Sequence, residues 1–417
     1  MRAAIAFFIV LLIYSHIYHY LWLAKIINVM PGIWYALAVL LGLVSWLLYG
    51  ITGRPAPMYN MRLHRQYQWH LFIWSVGFAT LALFSYLTSE QLPQELRALK
   101  TVIINVRLVG IFLITFTGEK EIRAGRIAMV IVILLSTLNN VLDVAGIMSF
   151  STAEGRGAGF YINPNISGTA LVLGMILTTS ILPERYRLYY CLMIGMAVGM
   201  TFSRSSVILW LVATYGLGQS NLFRLSRKAV TAMFAAIVAL VLVMQFGENI
   251  VAALDLNRYL SEGARARLHF EYKTDRSAQG RLQIANKSWE LIEQSPWVGH
   301  GLGSHDIGKT LVAPHNMFLL EGVEMGVFGV LAYLALFIVL WRKKAGISKV
   351  FVTTLFIASF FSHNLLDYPA IWLTYALLIG TTIPSRVGLG DRQSHVVGNH
   401  SFTADANETW VSNTQRS

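Results

Sequence analysis

Long apolar runs are the feature that most limits what this chain can fold into. A helix needs roughly 20 apolar residues to cross a bilayer, and about 17 at the short end. Twelve runs in the 417 residues meet or approach that length. They lie near 3–23, 31–51, 70–88, 101–117, 127–148, 165–183, 188–202, 205–220, 229–247, 317–341, 350–366 and 370–384. The sequence predicts an all-α polytopic membrane protein with about twelve transmembrane helices.

Composition agrees with this prediction. Only 13% of the residues are charged, whereas a soluble domain carries roughly 25%. Met1 and Arg2 lead directly into the first apolar run, which we expect to be a retained span and not a removed signal peptide. A single cysteine, Cys191, cannot form an intrachain disulfide or a cysteine-based metal site.

The basic residues of the short loops predict the orientation in the membrane. If Met1 is cytoplasmic, the short cytoplasmic loops hold 15 Lys and Arg residues and the opposite short loops hold 5. Because cytoplasmic loops are enriched in Lys and Arg, both termini are expected to be cytoplasmic. The same bias explains much of the net charge of +12, so no nucleic-acid partner is expected.

One long loop, 248–313, interrupts the spans on the non-cytoplasmic side, between the ninth and tenth runs. Within it, Leu282, Ala285, Trp289 and Ile292 recur at spacings of three and four. This pattern predicts an amphipathic helix that lies on the membrane or packs against the spans with those residues inward. We expect a membrane domain over 1–384 with this loop inserted, and a disordered cytoplasmic tail over 385–417.

The stretch from 280 to 326 combines the amphipathic helix, a Gly-rich loop and a histidine before the tenth run, so chemistry is expected here. The loop contains Gly299, Gly301 and Gly303 and cannot be helical. His315 stands at the N-terminus of the tenth run, where the helix dipole favours a neutral imidazole that can accept a proton. A boundary histidine without a chemical role is the alternative.

Two arginines are candidates for anion binding. Arg204, in T-F-S-R-S-S, lies between two short apolar runs on the side where basic residues are rare. A cation at membrane depth is costly and should have a partner or an anionic ligand, unless it extends to the lipid headgroups. Arg281 begins the amphipathic helix, and its guanidinium suits bidentate phosphate binding, although a plain surface role is also open.

Two further polar positions lie in or between the apolar runs. Arg107 stands inside the fourth run, where Asp143 could neutralise it or where both could line a recess for a lipid headgroup. Asp367 lies with His363 and Asn364 in the last outer loop. It could orient a histidine, bind a sugar or be solvated.

Several chemistries lack their sequence signals. No His, Asp or Glu spacing predicts a metal site, and no cofactor is expected. The Gly-rich loop is not followed by the Lys-Ser/Thr of a Walker loop, and no Gly-x-Ser-x-Gly motif is present. Transport stays open, because proteins with many spans and buried charges are often transporters.

Four short motifs occur in order between about 160 and 340. They are Asn163-Pro164-Asn165, T-F-S-R-S-S, Gly280-Arg281 with a helix ending P-W-V-G-H-G-L-G, and His315-Asn316-Met317-Phe318-Leu319 before Glu324-Met325-Gly326. Together with the long outer loop, they resemble the O-antigen ligase and polymerase superfamily of bacterial inner-membrane glycosyltransferases.

The resemblance implies a GT-C-like, metal-independent transferase that acts at the periplasmic face of the bacterial inner membrane. Its donor would be undecaprenyl-diphosphate-linked O-polysaccharide, and its acceptor a sugar hydroxyl of lipid A-core. His315 looks like the general base that deprotonates the acceptor, in an inverting transfer. Arg204 and Arg281 look like ligands of the diphosphate, since without a metal the cations must come from arginine.

Other assignments within the resemblance are looser. Arg265 could replace or assist Arg281, and Asn316 adjoins the proposed base. Asp367 resembles in placement an acidic residue of the family's last outer loop, whereas Arg107 matches no motif. Chain length, twelve spans and one dominant outer loop favour a ligase. A polymerase and a lipid or polysaccharide transporter are the alternatives.

Overall fold

The computed structural model describes residues 1–52, 58–148, 150–153, 155–223, 231, 276–304, 313–341 and 346–381. Every regular element in these ranges is helical. The α-helices are α1 Arg2–Ser15, α2 Ile17–Leu23, α3 Pro31–Thr52, α4 Met58–Thr88, α5 Pro93–Thr115, α6 Glu119–Val144, α7 Pro164–Thr178, α8 Glu184–Gly199, α9 Arg204–Gln219, α10 Arg276–Gln294, α11 Met317–Leu340, α12 Gly346–Ala358 and α13 Pro369–Thr381. Almost all of the predicted ninth span, 229–247, and the tail, 385–417, lie outside the described residues.

The described helices are those of a multi-pass membrane protein. Six of them are long and apolar enough to cross a bilayer, namely α3, α4, α5, α6, α7 and α11. The pair α1 and α2, bent by 44° at His16, would make a seventh span. The all-helical, membrane-spanning class is therefore confirmed, while the total of twelve spans and the orientation stay predictions.

Three of the sequence motifs begin helices. The Asn163 side chain accepts the backbone N–H groups of Asn165 and Ile166, and Pro164 occupies the first helical position of α7. Ser203 caps α9 and Asn316 caps α11 in the same manner. A side-chain oxygen at this position binds N–H groups that the helix itself leaves unpaired, and so it determines where the helix starts.

The core of the bundle surrounds α7 and α13. Nearly every residue of these two helices is buried, including Trp372 and Tyr375 of α13. α13 contacts α1, α4, α5, α6 and α7, so it is enclosed on all sides by other helices. Such a helix is apolar all round, which explains why its sequence shows no amphipathic period.

Three connections meet at one end of the bundle, which we call the site end. They are the segments 145–163, 200–203 and 359–368. The Gly157 N–H donates to the Met200 carbonyl (2.8 Å), which joins the first two segments. The buried His16 ring contacts both Tyr161 and Tyr368, which joins the first and the third.

The predicted tenth span is not one continuous helix. Gly326 has φ 63° and ψ −154° inside α11, and the Phe318 ring lies 5.5 Å from the Tyr333 ring. In a straight helix, 15 residues would separate these two side chains by about 22 Å. Residues 317–325 therefore form a first arm that folds back along a second arm, 327–340. The prediction of a single span over 317–341 is wrong, although its length and hydropathy fit one.

The Gly-rich loop, 296–304, binds the backbone of this turn. The His300 N–H donates to the Val323 carbonyl (2.7 Å), and the Gly301 N–H donates to the Glu324 carbonyl (3.1 Å). A helix that ends inside a protein leaves its last carbonyls without helical partners, and these must be satisfied elsewhere. The N–H groups of His300 and Gly301 are the missing donors, so these two groups stabilise the fold and are not available to a phosphate.

Replacing Gly326 by alanine should destabilise the protein. A β-carbon at this position would collide with the Trp297 backbone carbonyl, and the positive φ disfavours any L-residue with a side chain. We expect a loss of about 2–5 kcal/mol in the free energy of unfolding, seen as a lower Tm in detergent. Gly77→Ala in α4 is the matched control, because its β-carbon would meet open space. An unchanged Tm for Gly326→Ala would contradict the folded-back geometry.

The amphipathic helix α10 packs along the first arm of α11. Its buried side is formed by Ser288, Leu291 and the half-buried Ile292. Leu282 and Trp289 were expected on this side, yet they are 63% and 56% exposed. α10 therefore packs against the spans through Leu291 and Ile292. Ile292 faces inward as predicted, and contact of Leu282 and Trp289 with the membrane stays a prediction.

Candidate functional site

His315 lies in the short connection that enters α11, and two contacts fix its backbone. The Asn316 side chain accepts the N–H groups of Phe318 and Leu319, at 2.8 and 3.3 Å. The Met317 N–H donates to the Ser359 carbonyl (2.8 Å), which ties this connection to the 359–368 segment. Asn316 therefore acts here as a helix cap that holds the histidine next to it.

The histidine is recessed below the turn of α11. The Ser359 hydroxyl bonds the Tyr333 hydroxyl (2.6 Å), so the start of the first arm lies level with Tyr333. Seven residues of the second arm separate Tyr333 from Gly326, a distance of about 10 Å at 1.5 Å per residue. His315 is half-buried at this depth. A single span over 317–341 would have placed His315 at the rim of the bundle. The folded-back helix places it below the rim instead.

Arg281 lies close enough to His315 to act on its charge. Burial lowers the pKa of the His315 imidazole below its usual value of 6.5, and the positive charge of Arg281 lowers it further. The Arg281 side chain is itself exposed, near the start of α10. The two predicted site residues therefore lie within electrostatic range of each other. The imidazole is held neutral at neutral pH, in the form that accepts a proton.

The His363 side chain of the last connection contacts His315. The two imidazole rings lie 5.1 Å apart, edge to face. Asp367 is exposed, and its backbone carbonyl accepts a hydrogen bond from the Asn105 amide (3.3 Å). His363 was visible in the sequence only as a polar residue in this loop. No spacing signal connects positions 315 and 363, so its contact with His315 could not be predicted.

Arg204 begins α9, and the packing of α9 on α12 shows at which end it lies. Gly216 lies against Val350, and Ser220 lies against Gly346. Because the residue numbers rise along one helix while they fall along the other, the two helices are antiparallel. Arg204 therefore lies at the same end of the pair as the C-terminus of α12.

That C-terminus leads directly to Ser359, whose carbonyl accepts the Met317 N–H beside His315. Arg204 and His315 thus share the site end of the bundle. The Arg204 side chain is exposed, and within the described ranges of the chain it makes no hydrogen bond or ion pair. This exposure leaves the guanidinium available to a ligand.

The remaining candidates are less closely connected to His315. Arg107 is exposed on α5 and makes no ion pair with Asp143 within the described part of the chain. The Asp143 carboxylate instead accepts the backbone N–H groups of Phe150 and Ala158, at 3.2 and 3.1 Å. The suggested structural pair is therefore wrong, and Asp143 anchors the segment 145–163. Arg265 lies outside the described residues.

His300 has a structural position. Its Nε2 atom lies 2.7 Å from the Leu291 carbonyl at the end of α10, and its N–H binds the turn of α11. The stretch from 280 to 326 therefore divides into two parts. Its two ends carry Arg281 and His315, whose charges interact, while the Gly-rich loop holds the turn in place.

Comparison with known proteins identifies one family. The sequence model of a family described as O-antigen ligase matches residues 189–334. The matched region runs from α8 to the second arm of α11 and includes Arg204, Arg281 and His315. A search of curated proteins found no match.

The family match covers three of the four motifs on which the resemblance rested, and it ends within the folded-back helix that positions His315. The described helices are those expected of a membrane-embedded member of this family. A function of the O-antigen ligase or polymerase type follows from the match, as does a lipid-linked polysaccharide as the general class of substrate. The resemblance to the O-antigen ligase and polymerase family is confirmed over residues 189–334 of the 417-residue chain.

Proposed function

We propose that this protein is an O-antigen ligase, which transfers O-polysaccharide from undecaprenyl diphosphate to a sugar hydroxyl of lipid A-core. The observation that carries the proposal is a recessed, neutral imidazole, His315, whose pKa is lowered by burial and by the charge of the exposed Arg281. A base and a cation at one place are what an alcohol nucleophile and a diphosphate leaving group require.

In the proposed reaction, the His315 imidazole accepts the proton of the acceptor hydroxyl. The acceptor oxygen forms a bond to the anomeric carbon of the donor sugar, and the bond from that carbon to the diphosphate oxygen breaks. Undecaprenyl diphosphate leaves with the electron pair, and the imidazolium later releases its proton to water. A single displacement of this kind inverts the anomeric configuration.

Arg281 and Arg204 are proposed to bind the leaving diphosphate. Both guanidinium groups are exposed, and a guanidinium can bind phosphate oxygens through two parallel hydrogen bonds. Positive charge aimed at a group that becomes more negative during the reaction stabilises the transition state more than the ground state. We further propose that this GT-C-like transferase domain covers 1–384 and is embedded in the lipids of the bacterial inner membrane. Both termini would be cytoplasmic and the site periplasmic.

The long outer loop predicted over 248–313 favours a ligase over a polymerase. Deletion of the gene in the native bacterium separates the candidates on a lipopolysaccharide gel. A ligase deletion should leave long O-polysaccharide on its lipid carrier and a core without any repeat unit. Single repeat units on the core would instead identify a polymerase. A normal ladder in the deletion strain would contradict both.

The pH profile of transfer should shift when the charge of Arg281 is removed. A base is active only while deprotonated, so the rate falls as the pH drops below the His315 pKa. Arg281 lowers that pKa, so Arg281→Gln should raise it and move the acidic limb to higher pH. Arg281→Lys, which keeps the charge, should leave the limb in place. Rates measured at saturating donor over pH 5–9 would show this, and superimposable limbs for the wild type and Arg281→Gln would contradict it.

Chelation tests the proposed independence of metal ions. If arginine provides the positive charge, transfer by the purified protein should persist in EDTA at the rate measured without it. Loss of transfer in EDTA, restored by adding Mg²⁺ or Mn²⁺, would contradict this part of the proposal.

A further inference from the structure

Arg156 connects two of the family motifs. Its Nε donates to the Thr201 carbonyl (2.8 Å), and its Nη2 donates to the Asn165 side-chain oxygen (2.9 Å). Asn165 belongs to the motif that starts α7, and Thr201 belongs to the turn before Arg204. The side chain is half-buried between them. It is therefore a bridge between two helix starts at the site end.

The turn that Arg156 holds is short and strained. Only residues 200–203 separate α8 from α9, and Phe202 within them has φ 47°. A bulky residue in this left-handed region persists only where its surroundings impose the conformation. The Arg156 bond to Thr201 and the Gly157 N–H bond to Met200 (2.8 Å) hold the turn on both sides of Thr201.

The same turn sets the position of Arg204. The Thr201 hydroxyl accepts the Ser203 N–H (3.3 Å), and the Ser203 hydroxyl caps α9 by accepting the Ser206 N–H (3.4 Å). Arg204 is the first residue of α9, directly after this cap. A displacement of Thr201 would therefore move the backbone that carries the Arg204 guanidinium.

The start of α7 adds a second support. Gly168 lies directly against the Ser206 side chain, so the first turns of α7 and α9 are packed together. Arg156 binds α7 through Asn165 and the turn through Thr201. The guanidinium, whose donors stand at fixed angles, can join both at once, whereas a lysine ammonium provides a single charged point without that geometry.

We propose that Arg156 is a positioning residue, which holds Arg204 where it binds the diphosphate of the lipid-linked donor. This inference rests on the proposed role of Arg204. In this proposal Arg156 acts through the turn, to which its Nε donor is bonded at Thr201 while its Nη2 donor binds Asn165. Its loss should therefore weaken donor use and leave acceptor use unchanged.

The test compares steady-state transfer by Arg156→Gln, Arg156→Lys, Arg204→Ala and the double variant Arg156→Gln/Arg204→Ala. A displaced binding group costs about 10- to 100-fold in rate, so Arg156→Gln should lower kcat/KM for the donor by about that factor. The KM for the acceptor should not change. Arg156→Lys should recover only part of the loss. In the double variant, Arg156→Gln should lower the donor kcat/KM little below the value for Arg204→Ala alone, because the guanidinium that Arg156 positions is absent.

Arg187 supplies a matched control. It is also half-buried and joins two backbone segments, through the carbonyls of Leu182 (2.9 Å) and Leu222 (2.7 Å). It lies at the start of α8, the end opposite the turn that Arg156 holds. Arg187→Gln should lower Tm about as much as Arg156→Gln and leave the donor kcat/KM intact. If Arg156→Gln does not fold, the donor kcat/KM of Arg156→Lys is compared with that of Arg187→Gln instead.

The outcomes separate this inference from the proposed function. If Arg204→Ala weakens donor use and the folded Arg156 variants do not, only the positioning role is overturned. Fully additive losses in the double variant would also overturn it, because Arg156 would then act independently of Arg204. If Arg204→Ala transfers like the wild type, the diphosphate assignment and the positioning role are both overturned.

Discussion

His315→Ala should reduce transfer by about 10²–10⁴-fold, the usual contribution of a general base, while the protein still folds. The acceptor hydroxyl is a weak nucleophile until its proton is removed, and His315 is a recessed imidazole that is held neutral. The fold should tolerate the change, because the side chain is half-buried and the backbone contacts of Met317 and Asn316 do not involve the imidazole. Product formation by the purified variant measures the effect.

His70→Ala is the matched control. His70 is exposed on α4, about 18 residues before the end of that helix that lies near the Gly-rich loop. The variant loses an imidazole of the same kind and should transfer at the wild-type rate. If His315→Ala retains full activity while it is folded in detergent, His315 is not the base. If lipid transport continues in that variant without any transferred product, the transporter alternative gains the support.

Arg281→Ala and Arg204→Ala should each lower kcat by about 10²–10³-fold, which is the loss expected when one donor to a developing negative charge is removed. The effect should be larger on kcat than on acceptor KM, because the charge develops on the donor diphosphate as it leaves. Arg281→Ala should in addition change the pH profile through His315, whereas Arg204→Ala should not. Steady-state kinetics with each substrate varied in turn would show the difference.

Lys287→Ala controls for the loss of positive charge on α10. Lys287 lies on the same helix as Arg281, but it is exposed and paired with Glu290 at 3.0 Å. Removing it changes the net charge by the same amount and should not change the rate. Equal losses in Lys287→Ala and Arg281→Ala would mean that only the overall charge of the helix matters, which would contradict a specific diphosphate contact.

The membrane class and most helix positions could be predicted from the sequence because both depend on hydrophobicity over long stretches. The helix starts at Pro164, Arg204 and Met317 were also close to their predicted positions, within a residue or two. In each case a capping residue adjoins the apolar run. These sequence signals are local, so a helix start can be predicted from them without knowledge of the tertiary fold.

The turn in α11 could not be predicted by the same means. Residues 317–340 are apolar except for Glu321 and Glu324, and glycine is common in membrane helices, so Gly326 gave no sign of a break. A tertiary contact stabilises the bend at Gly326, because the Gly-rich loop binds the carbonyls of Val323 and Glu324. Hydropathy measures how apolar a segment is and contains no information about such donors.

The arrangement of the site residues could not be predicted from the sequence either. Residue chemistry identified His315, Arg204 and Arg281 as candidates, but their proximity depends on the packing of α9, α10, α11 and α12. The contact with His363 and the bridge made by Arg156 appear only in three dimensions. The packed side of α10 includes Ser288, whose hydroxyl bonds the Ile284 carbonyl, and a pattern of apolar residues does not show such a position.

Reconstituted transfer with defined substrates shows whether His315 is the base in a transfer from the lipid diphosphate to the core. The purified protein would receive undecaprenyl-diphosphate-linked O-polysaccharide and lipid A-core, and both the glycosylated core and free undecaprenyl diphosphate would be quantified. We expect one undecaprenyl diphosphate for each core that is glycosylated, with both products lost in His315→Ala and retained in His70→Ala. Glycosylated core formed at the wild-type rate by His315→Ala, or donor consumed without any transfer to the core, would contradict the account.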